Sequence, residues 1–221
     1  MSNFMKKKNA FLRQKFFYQN FKLFFDFLFA LIFLITGFPV FLIICLLVKF
    51  SSRGPIFFIH ERIGKNKKPF KCIKFRTMHP EAVDILDNLL QNNAVIRKEY
   101  EADHKLKNDP RITNIGKFLR KTSLDEIPQF LNILKSEMSV VGPRPIVKEE
   151  LEKYGNSVKE VLSVKPGITG LWQVSGRNNL SYNRRVLLDC TYVRNLNFLT
   201  DIRIIIRTFG VIFFPNDRGA Y

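Results

Sequence analysis

Hydrophobic residues dominate one stretch near the start of the chain, where residues 27–48 form a run of 22 positions without a charged side chain. A straight helix of that length would reach roughly 33 Å, which is enough to cross a bilayer. Gly37-Phe38-Pro39 falls near the middle of the run. Pro39 removes a helical hydrogen bond and disfavours helix at the residue before it. The pattern therefore predicts two short membrane helices with a break at Pro39.

Basic residues flank this run on both sides, at Lys15 and Lys22 before it and at Lys49 and Arg53 after it. Positive flanks prefer the cytoplasmic side of a membrane. A straight span would carry one flank across, whereas a segment that enters and returns keeps both inside. We therefore favour a re-entrant helix-break-helix, with a kinked transmembrane span as the alternative. Asp26, at the entry, either pairs with a nearby lysine or caps a chain end, with a simple interfacial acid as the alternative.

After this run, the apolar segments are shorter and predict individual strands and helices. Residues 56–59 and 70–75 read as two strands joined by the basic turn 64–69, which predicts a hairpin. Arg203 and Arg207 interrupt the apolar residues 202–214 at a spacing of four, which suits an amphipathic helix at the membrane surface. A buried helix with paired arginines is the alternative. Helices are also predicted for residues 80–106, 112–120 (helix or turn), 123–134, 147–154 and 181–196, and a Gly-rich loop with a short strand for residues 165–177.

These elements predict an α+β fold that is mostly α-helical, with a re-entrant membrane helix, interfacial amphipathic helices and a small β-hairpin. The chain of 221 residues is long enough for one good core and short for two full domains. We expect a basic N-terminal segment with the membrane helix in residues 1–50. A single cytosolic catalytic domain at the membrane surface is expected in residues 51–221.

The charge of the chain narrows the choice of partners. Lys and Arg total 36 against 19 Asp and Glu, which gives a formal net charge of +17. Such a surplus implies nucleic acid, an anionic membrane or phosphorylated ligands. The basic residues match no recognised nucleic-acid-binding motif, so no nucleic-acid partner is expected. A non-enzymatic, membrane-tethered nucleic-acid binder is kept as an alternative. The three Cys and three His residues form no spacing typical of a zinc site.

Two adjacent carboxylates, Asp125 and Glu126, are the candidate reaction centre. An ionised Asp beside a bound phosphate is a competent nucleophile, and Mg²⁺ prefers one or two carboxylates together with phosphate oxygens. The same residues also read as a helix start, because Ser123 and Glu126 match a capping box. Pro128 complicates that interpretation, since its ring clashes with the preceding turn of a helix.

Three further segments offer phosphate-binding side chains. Gly142-Pro143-Arg144-Pro145 holds one arginine in a rigid turn, a geometry suited to phosphate, with a solvated arginine as the alternative. Lys74 and Arg76 would share one face of a strand, with a solvated edge as the alternative. The Gly-rich loop 165–177, which includes the single Trp and Arg177, could hold a nucleotide or sugar but lacks P-loop or dinucleotide-loop spacing.

The ordered set of motifs from about residue 22 to the C-terminus resembles the bacterial sugar transferase family of phosphoglycosyl transferases. Phe38 stands where many members of that family have Ser before the proline. The motifs that carry the resemblance are Phe25-Asp26, Arg62-x-Gly64, Lys74-Phe75-Arg76-Thr77-Met78, Leu119–Glu126, Met138–Pro145, Lys165–Gly170 and Leu188-Asp189.

The resemblance implies transfer of a sugar-1-phosphate from a nucleotide diphosphate sugar to a polyprenol phosphate, with release of the nucleoside monophosphate. It implies Asp125 as a nucleophile that forms a covalent phosphosugar intermediate. Glu126, together with Asp125, would bind Mg²⁺. Arg144 is implied as a phosphate-binding residue, Arg120 and Asp189 as further active-site residues, and Pro39 as the break of a re-entrant helix.

Residues 102–113 and the C-terminal Arg218-Gly219-Ala220-Tyr221 resemble the branch that uses hexose-1-phosphates such as galactose or glucose. We therefore expect a UDP-hexose donor, an undecaprenyl phosphate acceptor and a role in the first membrane step of surface glycan biosynthesis. The expected location is the inner membrane, with the catalytic domain on its cytoplasmic face and possible homo-oligomers. The chain looks like a minimal catalytic unit without an N-terminal multi-span region. A glycosyltransferase that releases nucleoside diphosphate is the alternative enzyme.

Overall fold

The computed structural model describes the backbone of residues 2–103, 106 and 108–213. Side chains are described from residue 18 onward within those ranges, except at 102, 103, 178 and 213. Residues 218–221, which carry part of the resemblance to the hexose-1-phosphate branch, lie outside the described residues. Ten helices are described: α1 Ser2–Thr36, α2 Phe38–Ser51, α3 Ala82–Asn92, α4 Ala94–Asp103, α5 Asn114–Thr122, α6 Gln129–Leu134, α7 Leu151–Tyr154, α8 Val158–Val161, α9 Tyr182–Arg194 and α10 Phe198–Phe213. Four strands are described: β1 Phe57–Ile63, β2 Pro69–Phe75, β3 Ser139–Val141 and β4 Gly167–Thr169.

The described chain is mostly helical, with two small sheets, as the sequence predicts. Strands β1 and β2 form one two-stranded sheet, so the predicted hairpin is confirmed. Strand β3 pairs in parallel with β4, with Ser139 opposite Gly167 and Val141 opposite Thr169. The short strand predicted inside the Gly-rich loop is therefore also confirmed.

The apolar segment breaks where the sequence predicts. Helix α1 ends at Thr36, and α2 begins at Phe38 with Pro39 in its first turn. Proline is tolerated there because the first backbone N–H groups of a helix have no intrahelical partner. The hydroxyl of Thr36 donates to the carbonyl of Ile32 at 2.8 Å, inside the last turn of α1. Within the described residues, Tyr18–Thr36 is the helix whose length and composition would allow it to cross a membrane.

The described residues fall into two compact units. The first comprises those within Met1–Thr36, His60–Cys72 and Gln129–Gly219, and the second those within Gly37–Ile59, Ile73–Pro128 and Ala220–Tyr221. The predicted boundary at residue 50 stays a prediction.

The first unit has a core in which aromatic side chains of α1 pack against α6. Phe33 stacks on Phe130 with ring centres 4.1 Å apart, and Ala30, one turn earlier in α1, is fully buried. Burying aromatic side chains dominates the stability of such cores. The buried hydrophobic residues of this core are Ala30, Phe70, Cys72, Phe130, Ile133, Met138, Val140, Val141, Tyr192, Val193, Ile204 and Ile205.

Asp26 of α1 is buried and bound to strand β3. Its carboxylate accepts the hydroxyl of Ser139 at 2.7 Å and the backbone N–H of Val140 at 3.1 Å. Lys22, one helical turn earlier, lies 3.5 Å from the same carboxylate. Asp26 therefore pairs with a lysine, one of the roles considered from sequence, and also ties α1 to the strand that precedes Arg144.

Asp201 of α10 completes this buried polar group. Its carboxylate accepts from Lys22 at 2.6 Å, from the Tyr18 hydroxyl at 2.6 Å and from the Tyr192 hydroxyl at 2.8 Å. Buried charges are tolerated only when they are paired and hydrogen-bonded, and this group satisfies both conditions. We call Tyr18, Lys22, Asp26, Tyr192 and Asp201 the helix-anchor network. It binds α1 to α9 and α10 through side chains.

Helix α10 is amphipathic, as predicted. Ile204 and Ile205 are buried, whereas Arg203 and Arg207 are exposed. No ion pair is described for either arginine within the described residues, so the alternative of a buried helix with paired arginines does not hold.

In the second unit, α2 packs against α5 and β2 through a smaller core. Phe75 of β2 is fully buried and stacks on Phe57 with ring centres 5.7 Å apart. Val48 of α2 and Leu119 of α5 are also fully buried. This core fixes the end of β2, which carries Lys74, relative to the end of α5, which carries Arg120.

The single helix predicted for residues 80–106 is wrong, because the chain forms α3 and α4 with a break at Asn93. Asn93 is extended (φ −139°, ψ 104°), and its side-chain oxygen accepts the N–H groups of Val95 at 3.0 Å and Ile96 at 3.1 Å. Asparagine is a preferred N-cap, since its side chain satisfies the first N–H groups of a helix. Apolar residues recur on both sides of Asn93, so the hydrophobic pattern alone does not reveal that the helix ends there.

Candidate active site

The acidic pair lies in a tight turn. Ser123 adopts a left-handed conformation (φ 58°) that ends α5, and a 3-10 turn, Leu124–Glu126, follows. Regular helix resumes at Gln129, directly after Pro128. The helix predicted to begin at Ser123 is therefore wrong, and so is the capping box, because Ser123 makes no side-chain cap. Asp125 is presented by a turn and not by the N-terminus of a regular helix.

Lys74 of β2 reaches both acids. Its ammonium nitrogen lies 2.6 Å from Glu126 Oε1 and 4.0 Å from Asp125 Oδ2. The three side chains are between 14% and 29% exposed, so they are open to a ligand but shielded enough for strong electrostatic effects. We call Lys74, Asp125 and Glu126 the carboxylate–lysine cluster. A cation beside two acids is suited to phosphate, which needs both a nucleophile and charge neutralisation.

Arg120 stands beside this cluster at the end of α5. Its Nε donates to the hydroxyl of Thr77 at 2.9 Å, which holds the guanidinium group in place. Burial raises the pKa of Asp125 to about 6, and the neighbouring charge of Glu126 adds to this, whereas Lys74 and Arg120 oppose it. At neutral pH the Asp125 carboxyl group is mostly ionised, as a nucleophile must be.

The adjacent carboxylates of Asp125 and Glu126 are the residues of this cluster that could hold a metal ion. Groups of three or more His, Cys, Asp or Glu side chains in ligating positions do not occur among the described residues. A metal that needs a complete protein cage is thus not matched by the described side chains. Mg²⁺ usually takes one or two carboxylates and completes its shell with waters and phosphate oxygens, and the pair fits that requirement.

Arg76 has a different environment from its neighbour Lys74. It lies just beyond β2 and is buried, and its guanidinium donates to the carbonyls of Val48 at 3.1 Å, Ser52 at 2.9 Å and Arg53. These carbonyls belong to the end of α2, where the last helical carbonyls lack intrahelical partners and favour a cation. The described contacts of Arg76 are therefore structural, and its predicted role in substrate binding stays a prediction.

Arg144, in the first unit, is exposed on the proline-flanked turn. Backbone hydrogen bonds fix that turn to β4: Gly142 N–H donates to Thr169 O at 2.9 Å, and Gly167 N–H donates to Pro143 O at 2.8 Å. The guanidinium carbon lies 5.8 Å from the ring centre of Trp172. The backbone of this turn is thus held by hydrogen bonds, and the phosphate-binding role of Arg144 stays a prediction.

Asp189 of α9 is buried, with only 1% of the residue exposed. Tyr154 donates its hydroxyl to Asp189 Oδ2 at 3.0 Å. Burial raises the pKa of Asp189 to about 7, and the Tyr154 hydrogen bond and the charge of Arg144 oppose that rise. Buried carboxylates with a raised pKa cluster at functional sites.

Arg177 follows Gly176 in the same Gly-rich loop as Trp172. It begins a 3-10 turn, Arg177–Asn179, with a left-handed φ of 49°, a conformation that costs energy for a residue with a side chain. The predicted site residues thus fall into two groups. Lys74, Arg76, Arg120, Asp125 and Glu126 lie in the second unit, and Arg144, Arg177 and Asp189 lie in the first.

Arg185 is not among the site residues predicted from the sequence. Its guanidinium carbon lies 5.0 Å from the ring centre of Trp172, and its Nε donates to Leu180 O at 3.1 Å. A usable signal was present, because Arg185 precedes Asp189 by four positions and so lies on the same face of α9.

The sequence of this chain is similar to known proteins of one family. The bacterial sugar transferase family matches residues 17–215. An uncharacterised sugar transferase of Haemophilus influenzae is 53% identical over 183 residues, 83% of this chain and 38% of that protein. The exopolysaccharide production protein ExoY of Sinorhizobium fredii is 47% identical over 197 residues, 89% of this chain and 86% of that protein. The undecaprenyl-phosphate galactose phosphotransferase of Salmonella typhimurium is 45% identical over 221 residues, 100% of this chain and 44% of that protein.

The chain belongs to the bacterial sugar transferase family. The prediction of that family, and of its enzyme class as phosphoglycosyl transferase, is thereby confirmed. The chain spans 38% of the length of the Haemophilus relative and 44% of the Salmonella relative, but 86% of the Sinorhizobium relative.

Proposed function

We propose that this chain transfers a hexose-1-phosphate from a UDP-hexose to undecaprenyl phosphate and releases UMP. The observation that carries the proposal is the carboxylate–lysine cluster, in which a mostly ionised Asp125 adjoins a second acid and a lysine. The name of the Salmonella relative supports galactose as the hexose and undecaprenyl phosphate as the acceptor. The name of the Sinorhizobium relative supports a place in surface polysaccharide production.

The reaction proceeds in two displacements at phosphorus. In the first, an oxygen of Asp125 attacks the phosphorus that bears the sugar, the bond from that phosphorus to the UMP oxygen breaks, and UMP leaves. In the second, a phosphate oxygen of the lipid attacks the same phosphorus, and the bond to Asp125 breaks to restore the carboxylate. Each substrate thus reacts separately with Asp125, and the expected kinetics are ping-pong.

The cations around Asp125 have distinct tasks in this scheme. Lys74 and Arg120 neutralise charge as it develops on the phosphate oxygens, and Thr77 keeps the Arg120 guanidinium oriented. Glu126, with Asp125, is proposed to hold Mg²⁺, which when bound would neutralise phosphate charge and lower the repulsion between an anionic nucleophile and its target. Lys74 contacts Glu126 and so also keeps that carboxylate beside Asp125.

A product assay tests the proposal. Membranes or detergent-solubilised full chain are incubated with undecaprenyl phosphate and a panel of UDP-sugars, with and without Mg²⁺. We expect UMP release with UDP-galactose or UDP-glucose, and loss of that release when a chelator removes the metal. Release of UDP in place of UMP would favour a glycosyltransferase and would contradict the proposed displacement at phosphorus.

We further propose that residues 27–48 enter the membrane and return on the cytoplasmic side. The break at Pro39 and the basic flanks support this topology. Two variants that each add one exposed cysteine test it, Asn20→Cys before the segment and Lys67→Cys after it, in a Cys45→Ser background whose remaining cysteines, Cys72 and Cys190, are buried. A membrane-impermeant maleimide should label neither variant in intact cells and both after permeabilisation. Labelling of either variant in intact cells would indicate a transmembrane span.

A further inference from the structure

Trp172 lies close to two arginines from separate parts of the chain. Its indole is buried, with 3% of the residue exposed, and it is the only Trp in the sequence. The guanidinium carbon of Arg144 is 5.8 Å from the ring centre, and that of Arg185 is 5.0 Å away. Each contact is of the cation–π type, which stabilises a cation over an aromatic ring. One ring therefore gathers two positive charges at one place in the first unit.

Gathering two like charges at one ring costs energy through their mutual repulsion. Burial lowers the pKa of Arg185, and the charge of Arg144 lowers it further. Arg144 makes no ion pair with any described residue. A bound anion would relieve this repulsion, and a phosphate has the oxygen geometry that accepts two guanidinium groups.

The nearby acids Glu150 and Asp189 offset part of this charge electrostatically, but their described hydrogen bonds and ion pairs are with other residues. Glu150 accepts the backbone N–H of Val147 at 3.0 Å and lies 3.9 Å from Arg62. Asp189 is buried and accepts from Tyr154, while its Oδ1 has no hydrogen-bond partner among the described residues. The Trp172 Nε1 donor is also buried without a described acceptor. Buried polar atoms are normally satisfied, so an indole N–H without a described acceptor, close to two arginines, points to an acceptor such as a phosphate oxygen.

We propose that Arg185 is a phosphate-binding residue that acts together with Arg144 beside the ring of Trp172. The ligand is a phosphate oxyanion of one of the two substrates, either the nucleotide sugar or the lipid phosphate. This inference rests on the proposed function, because both substrates carry that group. Arg185 contributes the planar donor set of a guanidinium, and its hydrogen bond to Leu180 O orients that group from the first turns of α9.

Two-substrate kinetics test the proposal with a matched pair of variants. Arg185→Gln and Arg184→Gln remove the same charge from neighbouring positions of α9, and Arg184 is exposed. We expect Arg185→Gln to raise KM by about 10- to 100-fold, the loss of one charge-assisted contact, while Arg184→Gln stays within about 2-fold of wild type. A rise confined to the UDP-hexose identifies the donor phosphate as the ligand, and a rise confined to undecaprenyl phosphate identifies the lipid.

Trp172 fluorescence gives a second readout that needs no turnover. Solubilised full chain is titrated with UMP, with inorganic phosphate and with undecaprenyl phosphate in detergent. Wild type and Arg184→Gln should show a saturable change with at least one of these probes, and Arg185→Gln a midpoint shifted by the factor seen in KM. Arg185→Lys, which keeps the charge but lacks the planar fork, should fall between wild type and Arg185→Gln.

The outcomes separate the two proposals. If wild type releases no UMP from any donor, the proposed function fails, and the fluorescence titration still decides whether Arg185 binds phosphate. If wild type is active but Arg185→Gln matches Arg184→Gln in both KM values and in the titration, the inference is overturned. A lower melting temperature with unchanged KM values would also overturn it, since that result describes a structural residue. If Arg185→Gln does not fold, wild-type KM values in Arg185→Lys overturn it instead.

Discussion

Replacing Asp125 by asparagine is expected to abolish sugar-phosphate transfer, lowering kcat by roughly 10⁴-fold or more, as removal of a nucleophile does in other enzymes. The amide cannot attack phosphorus, and no other oxygen takes its position. The fold should persist, because Lys74 keeps its 2.6 Å contact with Glu126 when the charge of Asp125 is lost. The variant should therefore still fractionate with membranes.

Two measurements check this prediction. UMP release gives the rate, and incubation with radiolabelled UDP-hexose without lipid acceptor, followed by mass analysis of the intact protein, reports the covalent intermediate. Asp84→Asn is the matched control, since it neutralises an exposed carboxylate in the same unit. The control should be labelled like wild type and Asp125→Asn should not. Substantial residual UMP release by Asp125→Asn would exclude Asp125 as the nucleophile.

Replacing Gly116 by alanine is expected to have the largest effect on folding. Gly116 lies in the first turn of α5 against the backbone of Thr77, and an added Cβ would overlap the Thr77 carbonyl. That carbonyl also accepts the N–H of Thr113 at 3.0 Å, so it has little freedom to move. Overpacking against backbone typically costs about 1–3 kcal/mol, and we expect the upper end here.

Activity should fall together with stability in this variant. Arg120, one turn after Gly116, donates to Thr77 Oγ1, and a displaced α5 would break that contact beside Asp125. Thermal unfolding in detergent and UMP release are the measurements. Gly210→Ala is the control, because nothing lies within 4 Å of its added Cβ in α10 and alanine favours a helix. Equal melting temperatures for the two variants would contradict the tight contact at Gly116.

Much of the site was readable from sequence because its motifs are short and ordered along the chain. The turn around Arg144, the break at Pro39 and the pairing of two acids each follow from local residue chemistry. Lys74 was selected from its strand position, and the structure brings it to Glu126 through a contact between residues 52 positions apart. That contact depends on packing and could be located only once the fold was described.

The errors have physical causes as well. Ser123 looked like a helix start, but in the structure it ends the preceding helix with a left-handed φ that a serine rarely adopts. The role of Arg76 in phosphate binding, by contrast, stays a prediction, although its described contacts are with carbonyls at the end of α2. Arg185 has one sequence signal, its spacing of four from Asp189, but its relation to Trp172 comes from tertiary structure. Residue propensities and motif spacing along the sequence do not show which distant backbone carbonyls will accept a hydrogen bond from a given side chain.

The helix-anchor network has a consequence for how this protein meets a bilayer. Lys22 and Asp26 lie one turn apart on α1, and their partners on β3 and α10 are fixed by several hydrogen bonds. Sliding α1 by a single residue would move it about 1.5 Å along its axis and rotate these side chains away from their partners. Helix α1 is therefore held at a fixed position relative to β3 and α10. Where it enters a bilayer as proposed, a change in membrane thickness is accommodated by the lipid or by tilting of the first unit, and not by sliding of α1 against β3 and α10.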